Sequence, residues 1–195
     1  MKIGIDVDNT ITTTMPILKA YCKKYNDEVV KRNLKMNEKG YSTTNLYDWT
    51  AEENIMFCNK YLEEVVLQAE VKENARAVIE KIKNEGNEIF IITARSQPRF
   101  KDPYNLTKDF LDKNNIVYDK IIVNCEDKYT YCKENNIDIM MDDEPRHINA
   151  ISELIPVIVF KDLQNEDCKG KNIIKVDTWN EVYEEYKRIK EKTTL

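Results

Sequence analysis

The chain has 195 residues, 33% of them charged, with 35 acidic against 30 basic side chains and a formal net charge of −5. One domain, or one domain carrying a modest insertion, fits that length, and the acidic balance leaves no electrostatic footprint for a nucleic-acid polymer. The longest apolar run, Leu154–Phe160, contains Pro156 and falls far short of the ~20 residues that cross a bilayer; Asp6 and Asp8 break any secretory apolar stretch, so a soluble cytoplasmic protein without a membrane partner is expected.

Lys2–Val7 is short and rich in Ile and Val and is stopped by Asp8-Asn9, which predicts a buried strand ending in a polar loop. From Thr14 to about Gln68 the pattern turns helical. Ile17, Leu18, Tyr21, Cys22, Tyr25 and Val29 recur at three- and four-residue steps, with Pro16 suited to a first turn. Residues 37–47 are polar and irregular, and Thr50-Ala51-Glu52-Glu53 opens a further helix as a capping box. Ala75, Val78, Ile79 and Ile82 share one face of a helix over residues 72–85 that stops at Gly86.

Strands and helices then alternate. Strands are predicted over 88–93, 120–124, 137–141, 156–160 and 173–176, and helices over 104–114, 128–135, 146–152 and 178–190. Apolar runs without alternation belong to strands buried on both faces. Helical crossovers between them imply a doubly wound parallel sheet. The domain organisation is an α/β core of residues 1–13 and 71–195, interrupted after its first strand by a helical insertion over 14–70.

The scarce residues narrow the chemistry. Four well-separated glycines cannot build a dinucleotide fingerprint or a Walker loop. A single histidine, His147, rules out a multi-histidine zinc site. This residue and Arg146 read as cap or surface residues near the site. Five cysteines without a Cys-x-x-Cys pair read as reduced structural thiols. Four features remain just past strand ends: Asp6-Val7-Asp8-Asn9-Thr10, Thr93-Ala94-Arg95, Lys128, and Asp142-Asp143-Glu144. Sites in open α/β sheets form outside the carboxyl ends of the strands, so all four can converge.

Two carboxylates ~4 Å apart at an effective dielectric of ~20 repel by about 4 kcal/mol. Gathering Asp6, Asp8, Asp142 and Asp143 at one sheet edge against Lys128 alone would therefore be unfavourable without a cation. All-oxygen ligands point to Mg²⁺, which keeps waters and recruits substrate phosphate oxygens.

Asp-Val-Asp-Asn-Thr after a strand, Thr93 after a second, Lys128 opening a helix and Asp142-Asp143 after a later strand resemble, in order, the four motifs of the haloacid dehalogenase-like hydrolase superfamily. The resemblance implies a Rossmann-like sheet with a small helical cap after the first strand. It makes Asp6 the nucleophile that forms an aspartyl-phosphate and Asp8 the general acid/base, whose backbone carbonyl binds Mg²⁺. Thr93 and Lys128 hold the phosphoryl group, and Asp143 ligates the metal with Asp142 beside it, leaving open which of the two touches it directly. Asn9 and Ala94 line the substrate side, and Arg95 adds a phosphate contact. Asp at position 8 favours a phosphomonoesterase or phosphomutase, because expelling an alkoxide demands a proton donor. The helical insertion with Tyr47-Asp48-Trp49-Thr50-Ala51-Glu52-Glu53 looks most like the 5′(3′)-deoxyribonucleotidase-like branch and its bacterial relatives.

The function expected is thus a Mg²⁺-dependent phosphatase of a small phosphorylated substrate, with a nucleoside monophosphate as the leading substrate, in a monomer or homodimer. A sugar phosphate is the alternative substrate. The alternative class is a module that binds or stores phosphate without turnover, such as a receiver-like domain, against which the late Asp142-Asp143 pair and the insertion argue. Tyr41, Tyr47, Trp49 and Phe57 could stack on a base, but aromatics in a small helical unit more often form its own core.

Overall fold

The computed structural model describes residues 1–193. Its strands are β1 (Lys2–Ile5), β2 (Glu88–Ile92), β3 (Lys120–Ile122), β4 (Ile139–Met141), β5 (Val157–Phe160) and β6 (Ile173–Val176). All pair parallel in the order β3-β2-β1-β4-β5-β6. The expected doubly wound α/β sheet is therefore present. Its order reverses between β1 and β4, and in such sheets the crevice at that reversal is where ligands bind.

Alternation along each strand explains why the strand sequences look uniformly apolar. Ile3, Ile5, Ile89, Ile91, Ile139 and Met141 face one layer, formed by α4 (Ala75–Asn84), α8 (Trp179–Thr193) and Leu111 of α5 (Pro103–Lys113). Phe90, Ile92, Met140, Val157 and Val159 face the other, formed by α6 (Lys128–Asn135) and α7 (Pro145–Ile151). With both faces covered, no strand position needs a polar residue. Gly4 sits where the strands crowd: a Cβ there would lie 2.6 Å from Met140 Sδ and 3.0 Å from Ile92 Cδ1.

Between β1 and β2 lie α1 (Thr14–Tyr25), which runs on in a wider turn to Val30, and α2 (Ala51–Phe57), which continues through Cys58–Leu62 into α3 (Glu63–Leu67). These helices gather around their own cluster of Leu18, Cys22, Tyr25, Leu46, Tyr47, Phe57 and Val65, joined by Phe100 from the loop after β2. Tyr25, Trp49, Phe57 and Tyr61 pack edge-on or tilted within it, and Tyr47 stacks on Trp49. These rings are core, while Tyr41 also lines the cavity described below. The chain entering and leaving the segment is tied together by an antiparallel bridge between Thr12 and Val71, flanked by Thr13 N donating to Glu70 O and Lys72 N donating to Ile11 O.

Several element ends differ from those predicted by one to three residues, two of them next to an asparagine. Asn74, Asn124 and Asn136 adopt positive φ, a left-handed conformation that asparagine tolerates and that stops regular structure. Asn74 delays α4 to Ala75, and Asn124 lies just beyond the end of β3. A single helical turn at Leu163–Asn165, not predicted, follows β5.

Candidate active site

Asp6 is extended backbone directly after β1, where its N–H donates to Met141 O and so extends the β1–β4 ladder by one residue. The chain then turns over Val7–Ile11 with Asn9 at φ 58°. Thr93 follows β2, its N–H donating to Ile122 O. Lys128 is the first residue of α6, behind Asp127, whose side chain accepts from Thr130 N at 3.0 Å. Asp142 and Asp143 follow β4. One cavity is lined by all nine residues expected from sequence: Asp6, Asp8, Asn9, Thr93, Ala94, Arg95, Lys128, Asp142 and Asp143. The segment between β1 and β2 closes its other side with Met15, Leu18, Tyr41, Ser42, Thr43, Leu62 and Val66.

At the centre, buried Lys128 Nζ donates to Asp6 Oδ1 at 2.6 Å and to Asp142 Oδ2 at 2.7 Å. Burial opposes its charge, but the two carboxylates outweigh burial and hold the ammonium well above its ordinary pKa. Asp142 is fully engaged, because its Oδ1 accepts from Glu144 N at 3.0 Å. Asp6 Oδ2 has no hydrogen bond among the described residues. Burial raises the Asp6 carboxyl, and Asp142 and Asp8 add to the rise against the pull of Lys128.

Asp8 has a cation of its own. Arg95 Nε and Nη2 donate to Asp8 Oδ2 and Oδ1, both at 2.8 Å, and Thr14 Oγ1 donates to Oδ1 at 2.9 Å. Arg95 Nη1 reaches Thr107 Oγ1 of α5 at 3.4 Å. The buried guanidinium of Arg95, for which a phosphate contact is expected, is forked onto Asp8. Burial raises the Asp8 carboxyl, but Arg95 outweighs it and leaves the group below the usual carboxylate range. Lys128 is likewise not the only counter-charge, since Arg95 pairs with Asp8 and Arg99 also lines the cavity.

Asn9 also faces inward on the protein. Its Oδ1 accepts from Met15 N at 2.5 Å and its Nδ2 donates to Asp143 Oδ2 at 3.2 Å. Gln164 Nε2 donates to the same Asp143 oxygen at 2.7 Å, leaving Oδ1 without a hydrogen bond among the described residues. Burial drives the Asp143 carboxyl well above its usual range, with Asp6 and Asp142 adding to the rise. His147, expected near the surface, is buried with Nε2 3.4 Å from Glu144 Oε2, and burial pushes it down to about 4. The expected cap or surface position of His147 is thus overturned, because Ile148 and Ile151 pull this side of α7 into the core.

No group of three or more His, Cys, Asp or Glu side chains among the described residues forms a ready ligand cage. What is present is a pair of buried carboxylates, Asp6 and Asp143, each raised by burial and by neighbouring carboxylates and each with one oxygen uncommitted. That donor set fits a hard cation that retains most of its waters.

Thr14, Ser42, Thr43, Arg99, Phe100 and Gln164 belong to the site but were not singled out from sequence. Nothing local marks the first five. Asp162 and Asn165 do carry a signal, since their spacing forms the capping box that seats Gln164.

The profile of the family described as 5′ nucleotidase, deoxy (Pyrimidine), cytosolic type C protein matches residues 1–192. The YqfW protein of Bacillus subtilis (strain 168) is 27% identical over 184 residues, covering 93% of this chain and 91% of the relative. The nucleotidase CA_C3379 of Clostridium acetobutylicum is 25% identical over 195 residues, covering 99% and 97%. In fold, the chain is similar to the haloacid dehalogenase-like hydrolase SP0104 of Streptococcus pneumoniae, with a TM-score of 0.68 at 13% identity over 95% of this chain and 97% of that one. No described helix is long and apolar enough to cross a membrane.

Proposed function

The chain belongs to the family of 5′ nucleotidase, deoxy (Pyrimidine), cytosolic type C proteins, a phosphatase/nucleotidase family of haloacid dehalogenase-like fold, and on that premise we propose that it hydrolyses nucleoside monophosphates through an aspartyl-phosphate on Asp6. The observation that carries the reading is the ammonium of Lys128 held between Asp6 and Asp142 at the point where the strand order reverses. A buried carboxylate beside a fixed cation is suited to attack phosphorus in line. Lys128 then neutralises charge on both the nucleophile and the incoming phosphoryl group. The Thr93 hydroxyl, which accepts from Arg95 N at 3.2 Å, has its proton available for a phosphoryl oxygen.

Asp8, ionised by its fork with Arg95, is ready to act as the base that removes a proton from the hydrolytic water. Its side chain remains 28% exposed and can be reached from the cavity. Donating a proton to the leaving alkoxide, its other expected task, requires loosening that fork. Asp6, Asp143 and the backbone carbonyl of Asp8 would hold Mg²⁺, which when bound supplies positive charge for the phosphoryl oxygens. Residues 14–70 act as the cap, with its Tyr41 and Thr43, and Phe100 from the loop after β2, facing the alcohol part of the substrate.

A panel of nucleoside 5′- and 3′-monophosphates, pyrimidine and purine, ribose and deoxyribose, set against sugar phosphates and read as Mg²⁺-dependent phosphate release, tests the reading. Turnover concentrated among nucleotides supports it. Turnover of sugar phosphates with nucleotides inert would replace the substrate, and persistent stoichiometric labelling without release would replace the class.

A further inference from the structure

Gln164 lies in the single turn after β5, away from all four strand-end motifs, yet its side chain ends on Asp143. The turn is seated by Asp162 and Asn165 as a capping box. From it, Gln164 Nε2 donates to Asp143 Oδ2 at 2.7 Å, while Asn165 Nδ2 donates to Phe160 O at 2.9 Å and reaches Asp143 O at 3.5 Å. Asn9 Nδ2 approaches the same Oδ2 from the opposite loop at 3.2 Å. Two amide donors from two loops thus occupy one oxygen of Asp143 and set the plane of its carboxylate. Gln164 is 8% exposed, and its Oε1 is buried with no partner. An orphaned buried amide oxygen costs ~1–3 kcal/mol, a penalty that leucine or methionine at 164 would not carry. The stability of the turn therefore gives no reason for an amide here. The donor to Asp143 does.

We propose that Gln164 is a positioning residue for the cation: its amide, jointly with Asn9, engages Asp143 Oδ2 so that Oδ1 is left as the oxygen for the metal. This inference rests on the phosphatase reading of the cavity. Ligand carboxylates held by outer hydrogen bonds typically lose 10–100-fold in metal affinity when those bonds are removed. The backbone donor next along the chain, Glu144 N, is committed to Asp142, and the donors to Asp143 Oδ2 are side-chain amides.

The test is Mg²⁺ binding to the full chain without substrate, by titration calorimetry and by the rise in melting temperature with Mg²⁺ concentration. Three proteins are compared: wild type, Gln164→Met, which fills the space without a donor, and Gln164→His, whose Nε2 can restore one. Each protein is its own baseline, so a general loss of stability does not imitate a loss of affinity. Gln164→Met is expected to raise the Mg²⁺ Kd about 10–100-fold, with Gln164→His between it and wild type and turnover of Gln164→Met recovering at saturating Mg²⁺. Equal Mg²⁺ affinity in wild type and Gln164→Met, or equal losses in both variants, would overturn the proposal alone. A wild-type chain that binds no Mg²⁺ would overturn the phosphatase reading and this inference with it.

Discussion

Arg95 shows how far a single residue can be read before its partner is known. Its charge and its place after Thr93 marked it as part of the site, and a phosphate was the expected partner. The fork instead closes on Asp8 across 87 positions of sequence, a pairing no local pattern encodes. Removing the guanidinium leaves burial as the dominant influence on Asp8, so its carboxyl rises. A base must be ionised to work, so the acid limb of the kcat/KM profile should move to higher pH in Arg95→Met. The rate at neutral pH should fall by about 10²-fold, the lower range for loss of general base catalysis. An acid limb at the wild-type position would separate Arg95 from the function of Asp8.

His147 gives a second prediction at the same scale. Burial holds its imidazole at about 4, below the ordinary 6.5. Between those values the unfolded chain binds a proton that the folded chain refuses. Stability from this residue is complete above pH 6.5 and declines as pH falls toward 4, by at most about 1.4 kcal/mol per pH unit. Denaturant unfolding across that window should show a shallower decline for His147→Phe, and an equal slope would mean the histidine is not held neutral. Sequence alone misplaced this side chain because the short α7 carries too few residues to reveal which face it buries.

At the scale of elements, most helices were legible because each carries a period the chain cannot hide, and the strands because each is a short unbroken apolar run stopped by polar residues. Ala75, Val78, Ile79 and Ile82 turn one face of α4 to the sheet, and all are buried. The capping box at Thr50 is present in full, with Glu53 N donating to Thr50 Oγ1 at 3.2 Å and Thr50 N donating to Glu53 Oε2 at 2.8 Å. Thr50→Ala should cost ~1 kcal/mol of unfolding free energy, read as a lower denaturant midpoint. An unchanged midpoint would show that the packing of Phe57 and Val65, not the cap, decides whether α2 forms. The turn at Leu163–Asn165 was missed because three residues carry no periodicity. Its contribution lies in where it delivers an amide.

At the scale of the molecule, a doubly wound sheet could be read from alternating strands and helices, but the order that puts β1 beside β4 could not. Adjacency of Asp6 and Asp142 follows from that order alone. The cysteines were legible as a class: all five are free thiols, four of them buried. Burial raises all five thiols, with Cys22 and Cys132 at about 12 and Cys125 at about 11. Alkylation of the native chain at pH 8 should therefore modify Cys168 first and leave the buried four until unfolding, as peptide mapping would reveal. Rapid native labelling of Cys22 or Cys132 would mean that the layers open far more readily than their packing implies.

The most direct measurement is to locate the phosphoryl group. The full chain is mixed with Mg²⁺ and a ³²P-labelled nucleoside monophosphate, quenched in acid within the first turnovers, digested and mapped, with Asp6→Asn treated alongside. The account predicts an acid-stable, hydroxylamine-labile label on the peptide carrying Asp6, and a folded Asp6→Asn protein with neither label nor phosphate release. Wild-type turnover by Asp6→Asn, or a label on any other residue, would contradict it.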